Sequence, residues 1–126
     1  MPLVRLDFRK GRAPGFGRQA GAIVYEEMVR VLKAPQDDNF QVVTEHGPEG
    51  VVYDPTYLGI QRSDGVLFLQ ITLNEGRSLE QKKEFYRSVV ERLHAELGVR
   101  REDVLFSLVE VKKENWSFGN GAAPYA

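Results

Sequence analysis

The sequence predicts an α+β fold made of two tandem βαβ units, giving a four-stranded mixed sheet with two helices on one face. Two observations carry this. In each half of the chain the hydrophobic period runs from that of a strand to that of a helix and back. The halves also match at a constant offset of 65 residues, with no gap from about residue 2 to 45. Gly11-Arg12 falls on Gly76-Arg77, Lys33 on Gly98, and Asp37-Asp38 on Glu102-Asp103. A chain of 126 residues suits one domain. Its repeat units span about 2–45 and 66–111, and an aromatic tail follows at 112–126.

The elements follow in order. Val4, Leu6 and Phe8 alternate with Leu3, Arg5 and Asp7, as in a half-buried strand. Arg9 to Gly15 is a turn whose basic run reads as a solvated loop. Phe16, Ala20, Ile23, Val24, Met28 and Val31 share one helical face, and Ala34-Pro35 stops that helix. Asn39 to Glu45 is the second strand. Residues 47–65, punctuated by glycine and proline, form a long loop with a short extended piece at Val51-Val52-Tyr53. Val66 to Leu73 is the most apolar run and suits a central strand. Ser78 with Gln81 makes a capping box for a second helix through Leu97, closed by Gly98. Asp103 to Val111 is the fourth strand, and the tail at 115–121 has the composition of a hairpin.

Composition narrows the function. Seventeen basic and eighteen acidic residues give a net charge of −1, which argues against a nucleic-acid partner. No apolar run approaches the roughly 20 residues of a membrane span. The absence of cysteine removes a thiol nucleophile and a disulfide frame. With no signal-peptide core, it fits a cytoplasmic protein. No metal site is expected, since His46 and His94 share no ligand spacing. Gly119-Asn120-Gly121 lacks the following Gly-Lys-Ser/Thr of a phosphate loop, and Ser63-Asp64 lacks a nucleophile-elbow context.

The Met1-Pro2 start stands out. Removal of Met before a small residue would leave a free prolyl amine, and an α-amino group ordinarily titrates at about 7.7–8.0. Such an amine can serve as base, nucleophile or cation. Right-handed βαβ connection makes the first two strands parallel, so Pro2 and Asp38 start at one sheet edge. A carboxylate there can orient an amine or a water. Asp38 taken alone reads equally as a turn residue, Arg77 as a surface charge, and Trp116 and Phe118 as packing. Two helices cover only one sheet face, so the other calls for burial, for which self-association is the simplest answer.

With these residues in hand, the chain resembles the tautomerase superfamily, and within it the malonate semialdehyde decarboxylases. The likeness runs nearly end to end. It rests on Pro2-Leu3, on Pro35 and Asp38, on Tyr57-Leu58-Gly59 with Arg62-Ser63, on Arg77-Ser78 with Glu80-Gln81-Lys82, and on Trp116-Ser117-Phe118-Gly119. It implies a homotrimer acting on a small carboxylate without a cofactor. It implies catalysis by Pro2, assistance by Asp38, a substrate carboxylate held by Arg77, and an apolar wall of Trp116, Phe118 and Tyr125. The implied reaction takes malonate semialdehyde to acetaldehyde and carbon dioxide, with hydratase activity on unsaturated acids alongside. The likeness departs at Glu75, where the decarboxylases carry a second arginine. Glu75-Gly76-Arg77 instead resembles the turn of simpler tautomerases. Keto-enol tautomerisation of the phenylpyruvate type is therefore an alternative, as is a trimer that has lost its chemistry.

Overall fold

The computed structural model describes residues 2–125. Its elements are β1 (Leu3–Arg9), α1 (Phe16–Leu32), β2 (Phe40–His46), β3 (Leu67–Asn74), α2 (Leu79–Leu97) and β4 (Val104–Val111). The sheet order is β2-β1-β3-β4. Within each half the two strands are parallel, and the halves join antiparallel through β1 and β3. β1 pairs Leu3 with Phe40 on one side and with Thr72 on the other.

Alternation assigns the faces. Val4, Leu6 and Phe8 of β1 and Leu67, Leu69, Ile71 and Leu73 of β3 are buried under the helices. Ala20, Ile23, Val24 and Met28 of α1 and Phe85, Val89 and Leu93 of α2 close the same core. Among the described residues, no helix covers the opposite face. It leaves Leu3, Phe40, Val42, Leu105 and Val109 exposed, with Phe40 at 51%.

The two halves share their backbone specials. Gly11 and Gly76 follow β1 and β3 at φ 115° and 124°. These values favour glycine, which has no Cβ to clash. Lys33 and Gly98 cap the two helices at φ 59° and 68°, both left-handed. The capping box of α2 is complete, with Ser78 accepting from the Gln81 amide and Gln81 accepting from the Ser78 amide.

Three expectations are corrected. Val51-Val52-Tyr53 forms no strand. Val51 is buried, and its carbonyl accepts from Arg9 Nη2 at 2.8 Å, so a side chain holds it in place of a strand ladder. The same connection makes one 3-10 turn at Tyr57–Gly59. The tail makes no hairpin: Lys113–Asn115 is a 3-10 turn, and the residues after it fold against their own aromatic rings. β4 starts at Val104 because Asp103 closes a 3-10 turn at Arg101–Asp103. Its carboxylate is 2% exposed and accepts from the Ser63 amide at 2.8 Å, the Ser63 hydroxyl at 2.6 Å and Arg100 at 3.2 Å. Nearby, Arg12 Nη2 donates to the Gly65 carbonyl and its guanidinium lies over the Phe16 ring.

One buried acid joins the helices. Glu27 of α1 is 4% exposed and accepts from Arg30 Nη2 at 2.6 Å and from Arg92 of α2 at 3.4 Å. The bond from Arg30 holds its carboxyl below the ordinary 4.5, outweighing burial, which pushes the other way. Glu27→Gln should therefore lower the unfolding free energy at neutral pH by about 1.5–3 kcal/mol. The sign with pH follows from the lowered value. The unfolded carboxyl takes up its proton near 4.5, and the folded one only at lower pH. The stabilisation is complete above 4.5 and is lost as pH falls through the folded value. Urea unfolding at neutral and acid pH should show wild type losing more stability than Glu27→Gln over that fall.

Candidate active site

Strand direction brings four chain segments to one sheet edge. β1 and β2 start there, and β3 and β4 end there. Pro2 precedes β1, Asp38 stands two residues before β2, Asn74 to Arg77 follow β3, and the aromatic tail follows β4. The register carries Pro2 to the level of Asn39 on one side and Leu73 on the other. Pro2 is buried and Asp38 half-buried. Met1 and Ala126 lie outside the described residues, and the expected removal of Met1 concerns the first of them.

The turn before β2 is fixed by Tyr25, whose hydroxyl accepts from the Asp37 amide at 2.9 Å. Asp37 sits at φ 66°, and this kink delivers Asp38 to the edge. Asp38, Phe40, Phe118 and Tyr125 line a hollow of about 290 Å³. Leu3, Phe40, Trp116 and Phe118 line an adjoining one of about 200 Å³. Trp116 stacks on Phe118 with ring centroids 5.7 Å apart, and Phe118 meets Tyr125 edge-on at 5.2 Å. The structure thus brings together Asp38, Trp116, Phe118 and Tyr125.

Arg77 stands apart from them. It lines a separate hollow of about 310 Å³ with Leu32, Lys33, Glu75, Gly76 and Gln81. Its Nε donates to the Leu32 carbonyl and its Nη1 to the Asn74 carbonyl, both at 3.0 Å. Among the described residues, Nη2 has no hydrogen-bond partner. Beside this turn, the Lys82 ammonium lies 2.8 Å from Glu110 and holds that carboxyl below its usual value, with Arg77 adding to the effect.

Two residues of this edge escape a reading by residue type. Lys33 shares the Arg77 hollow. The repeat offers a signal for it, since Lys33 occupies the left-handed cap that glycine takes at Gly98. Asn74 is 8% exposed, and its Oδ1 accepts from the Trp116 indole at 2.8 Å. No local pattern announces that bond. Among the described residues, no group of three or more His, Asp or Glu could hold a metal ion, and no helix is long and apolar enough to cross a membrane.

A family model described as "Tautomerase enzyme" matches residues 38–119. The chain is 40% identical over 123 residues to the probable tautomerase YusQ of Bacillus subtilis (strain 168), covering 98% of this chain and 97% of that one. The FG41 malonate semialdehyde decarboxylase inhibited by 3-bromopropiolate superposes with a TM-score of 0.89 at 33% identity, covering 98% and 93% of the two chains. A malonate semialdehyde decarboxylase was solved in wild-type, proline-to-alanine variant and inactivated forms to explain its decarboxylase and hydratase activities. It superposes with a TM-score of 0.88 at 32% identity, covering 98% and 95%.

Proposed function

Because this chain belongs to the tautomerase family, we propose that it decarboxylates a small 3-oxo acid, malonate semialdehyde, through an amino-terminal Pro2. The observation that carries the reading is the aromatic wall of Trp116, Phe118 and Tyr125 set beside Asp38 at the Pro2 edge. A carboxylate pressed against such a wall loses hydration, and the neutral carbon dioxide that leaves it does not.

The chemistry needs a cation at the aldehyde. Neutral Pro2 adds to the aldehyde carbon and, with loss of water, gives an iminium. The bond to the carboxylate carbon then breaks, its electron pair moves toward the iminium nitrogen, and carbon dioxide departs. The resulting enamine takes a proton at carbon, and water releases acetaldehyde and the free amine. A protonated Pro2 hydrogen-bonded to the carbonyl oxygen is the other route, and in it the electron pair rests on that oxygen. Asp38 holds the amine or a water, and a water so held supplies the hydratase reaction on unsaturated acids. Arg77 offers Nη2 to the substrate carboxylate, with Lys33 as a second cation in the same hollow.

One observation favours a second reading. Glu75 lines the Arg77 hollow where a second arginine would strengthen anion binding. A neutral Pro2 acting as a base on an enolisable 2-oxo acid of the phenylpyruvate type needs less anion binding. The two activities differ chiefly in the protonation of one amine.

Three measurements test this function. Processed and Met1-retaining protein, matched by circular dichroism, should differ completely on malonate semialdehyde, because an acylated proline nitrogen is neither base nor nucleophile. Equal rates would rule out amine catalysis. Turnover of phenylpyruvate enol alone would select the second reading. Arg77→Ala should lower kcat/KM roughly ten- to hundred-fold, as expected for loss of a bond to a charged group. Unchanged kinetics would remove Arg77 as the carboxylate anchor. The exposed apolar side chains of the helix-free sheet face, with the family resemblance, support a homotrimer. Light scattering should report three chains, and a stable monomer would refute it.

A further inference from the structure

Among the described residues Asn74 is one of three buried polar or charged ones, at 8% exposure, and the proposed chemistry gives its side-chain amide nitrogen no task. It ends β3 on the side-chain alternation of Phe68, Gln70 and Thr72, which is that of the helix-free face. The Trp116 indole can only donate, so the amide oxygen of Asn74 must face it. The amide nitrogen is thereby turned the other way. Among the described residues, Nδ2 donates to no acceptor. Nδ2 is not sealed from solvent, so a group bound at this edge can reach it and accept from it.

The sheet register says where that acceptor sits. β1 and β3 pair antiparallel, Leu3 with Thr72 and Val4 with Ile71. One step further, Pro2 is level with Leu73, and the space adjoining the Pro2 nitrogen is level with Asn74. A group bound to that nitrogen or held against it lies opposite Asn74 across one strand spacing. The bond from Trp116 is also the one side-chain hydrogen bond that ties residues 112–125 to the rest of the described chain. The same contact therefore sets the aromatic wall and the direction of the amide.

We propose that Asn74 is a substrate-binding residue, its Nδ2 donating to the carbonyl oxygen of an oxo acid held at Pro2 and its Oδ1 locked by the Trp116 indole. This rests on the reading of Pro2 as the reactive amine. In a reaction that places negative charge on that oxygen, an oriented amide donor accelerates turnover.

The test uses the processed protein and three variants. Asn74→Asp keeps the acceptor for Trp116 but loses the donor and adds charge. Asn74→Leu loses donor and acceptor without charge. Trp116→Phe keeps Asn74 but frees its amide. Trp116 is the single tryptophan, so its emission reports the wall directly. Emission should match wild type in Asn74→Asp and shift in Asn74→Leu. Both Asn74 variants should lose on the order of 10²-fold in kcat/KM, chiefly in kcat, and Trp116→Phe should lose less. Pyruvate, titrated by Trp116 quenching, should bind wild type more tightly than either Asn74 variant. A loss in Asn74→Asp alone would trace the effect to charge, and a loss in Asn74→Leu alone to the wall. Either result overturns the proposal while leaving turnover by Pro2 intact. Wild type that neither turns over an oxo acid nor binds pyruvate overturns the proposal and the function together.

Discussion

The position of β1 governs everything at the candidate site. It is the strand parallel to β2 and antiparallel to β3, and those two pairings decide which chain ends meet. If β1 and β3 were parallel, the turn carrying Arg77 and the tail carrying Trp116 would lie at the far edge from Pro2. The site is thus a product of strand direction before any side chain is considered. The core enforces that direction. A register slip by one residue would turn Val4, Leu6 and Phe8 out of the helix-covered layer and Arg5 and Asp7 into it.

Polar groups inside this protein sit at joints. Glu27 joins the two helices, Asp103 joins the long loop to the start of β4, and Asn74 joins the end of β3 to the tail. Each bonds at least one group distant in sequence, and so each specifies an arrangement that apolar packing alone would leave loose. The third joint matters most to the proposed chemistry, because it fixes an aromatic wall borne by a segment with little regular structure. That segment would otherwise carry the looseness usual for a chain end.

Much of this was legible in the sequence. Periodicity located the four strands and two helices, and the capping box and Gly98 bounded α2 to the residue. The 65-residue repeat placed Pro2 and Asp38 together, because a repeat carries topology that local propensity does not. The structure bears out the loop at 47–65, and the two departures, at Val51 and in the tail, share one reason. Val51 is held by the Arg9 side chain and the tail by an indole bond, and neither contact leaves a period in the sequence. The bond between Asn74 and Trp116 is illegible for the same cause, since the two lie 42 residues apart. The family resemblance supplies Arg77 as an expected site residue. What it could not supply is that two of the guanidinium's bonds go to backbone carbonyls.

The repeat has a further consequence. If the halves are equivalent, the molecule has two equivalent edges, and the second is assembled from Arg12, Asp103 and Leu67 in place of Arg77, Asp38 and Pro2. That edge is sealed by its own chain: Ser63 occupies Asp103 and the Gly65 carbonyl occupies Arg12. If the amine of Pro2 is the reactive group, as proposed, the repeated scaffold does not repeat the chemistry, because the nitrogen of Leu67 is held in the peptide bond to Val66. The long loop is where the chain runs on in place of ending. A circular permutation opened between Val66 and Leu67 would exchange the roles, presenting a new amine to the sealed edge and burying the old one in a peptide bond. Under the proposed chemistry, what separates the two edges is the bonding of one nitrogen, at Pro2 against Leu67, and not a difference in fold.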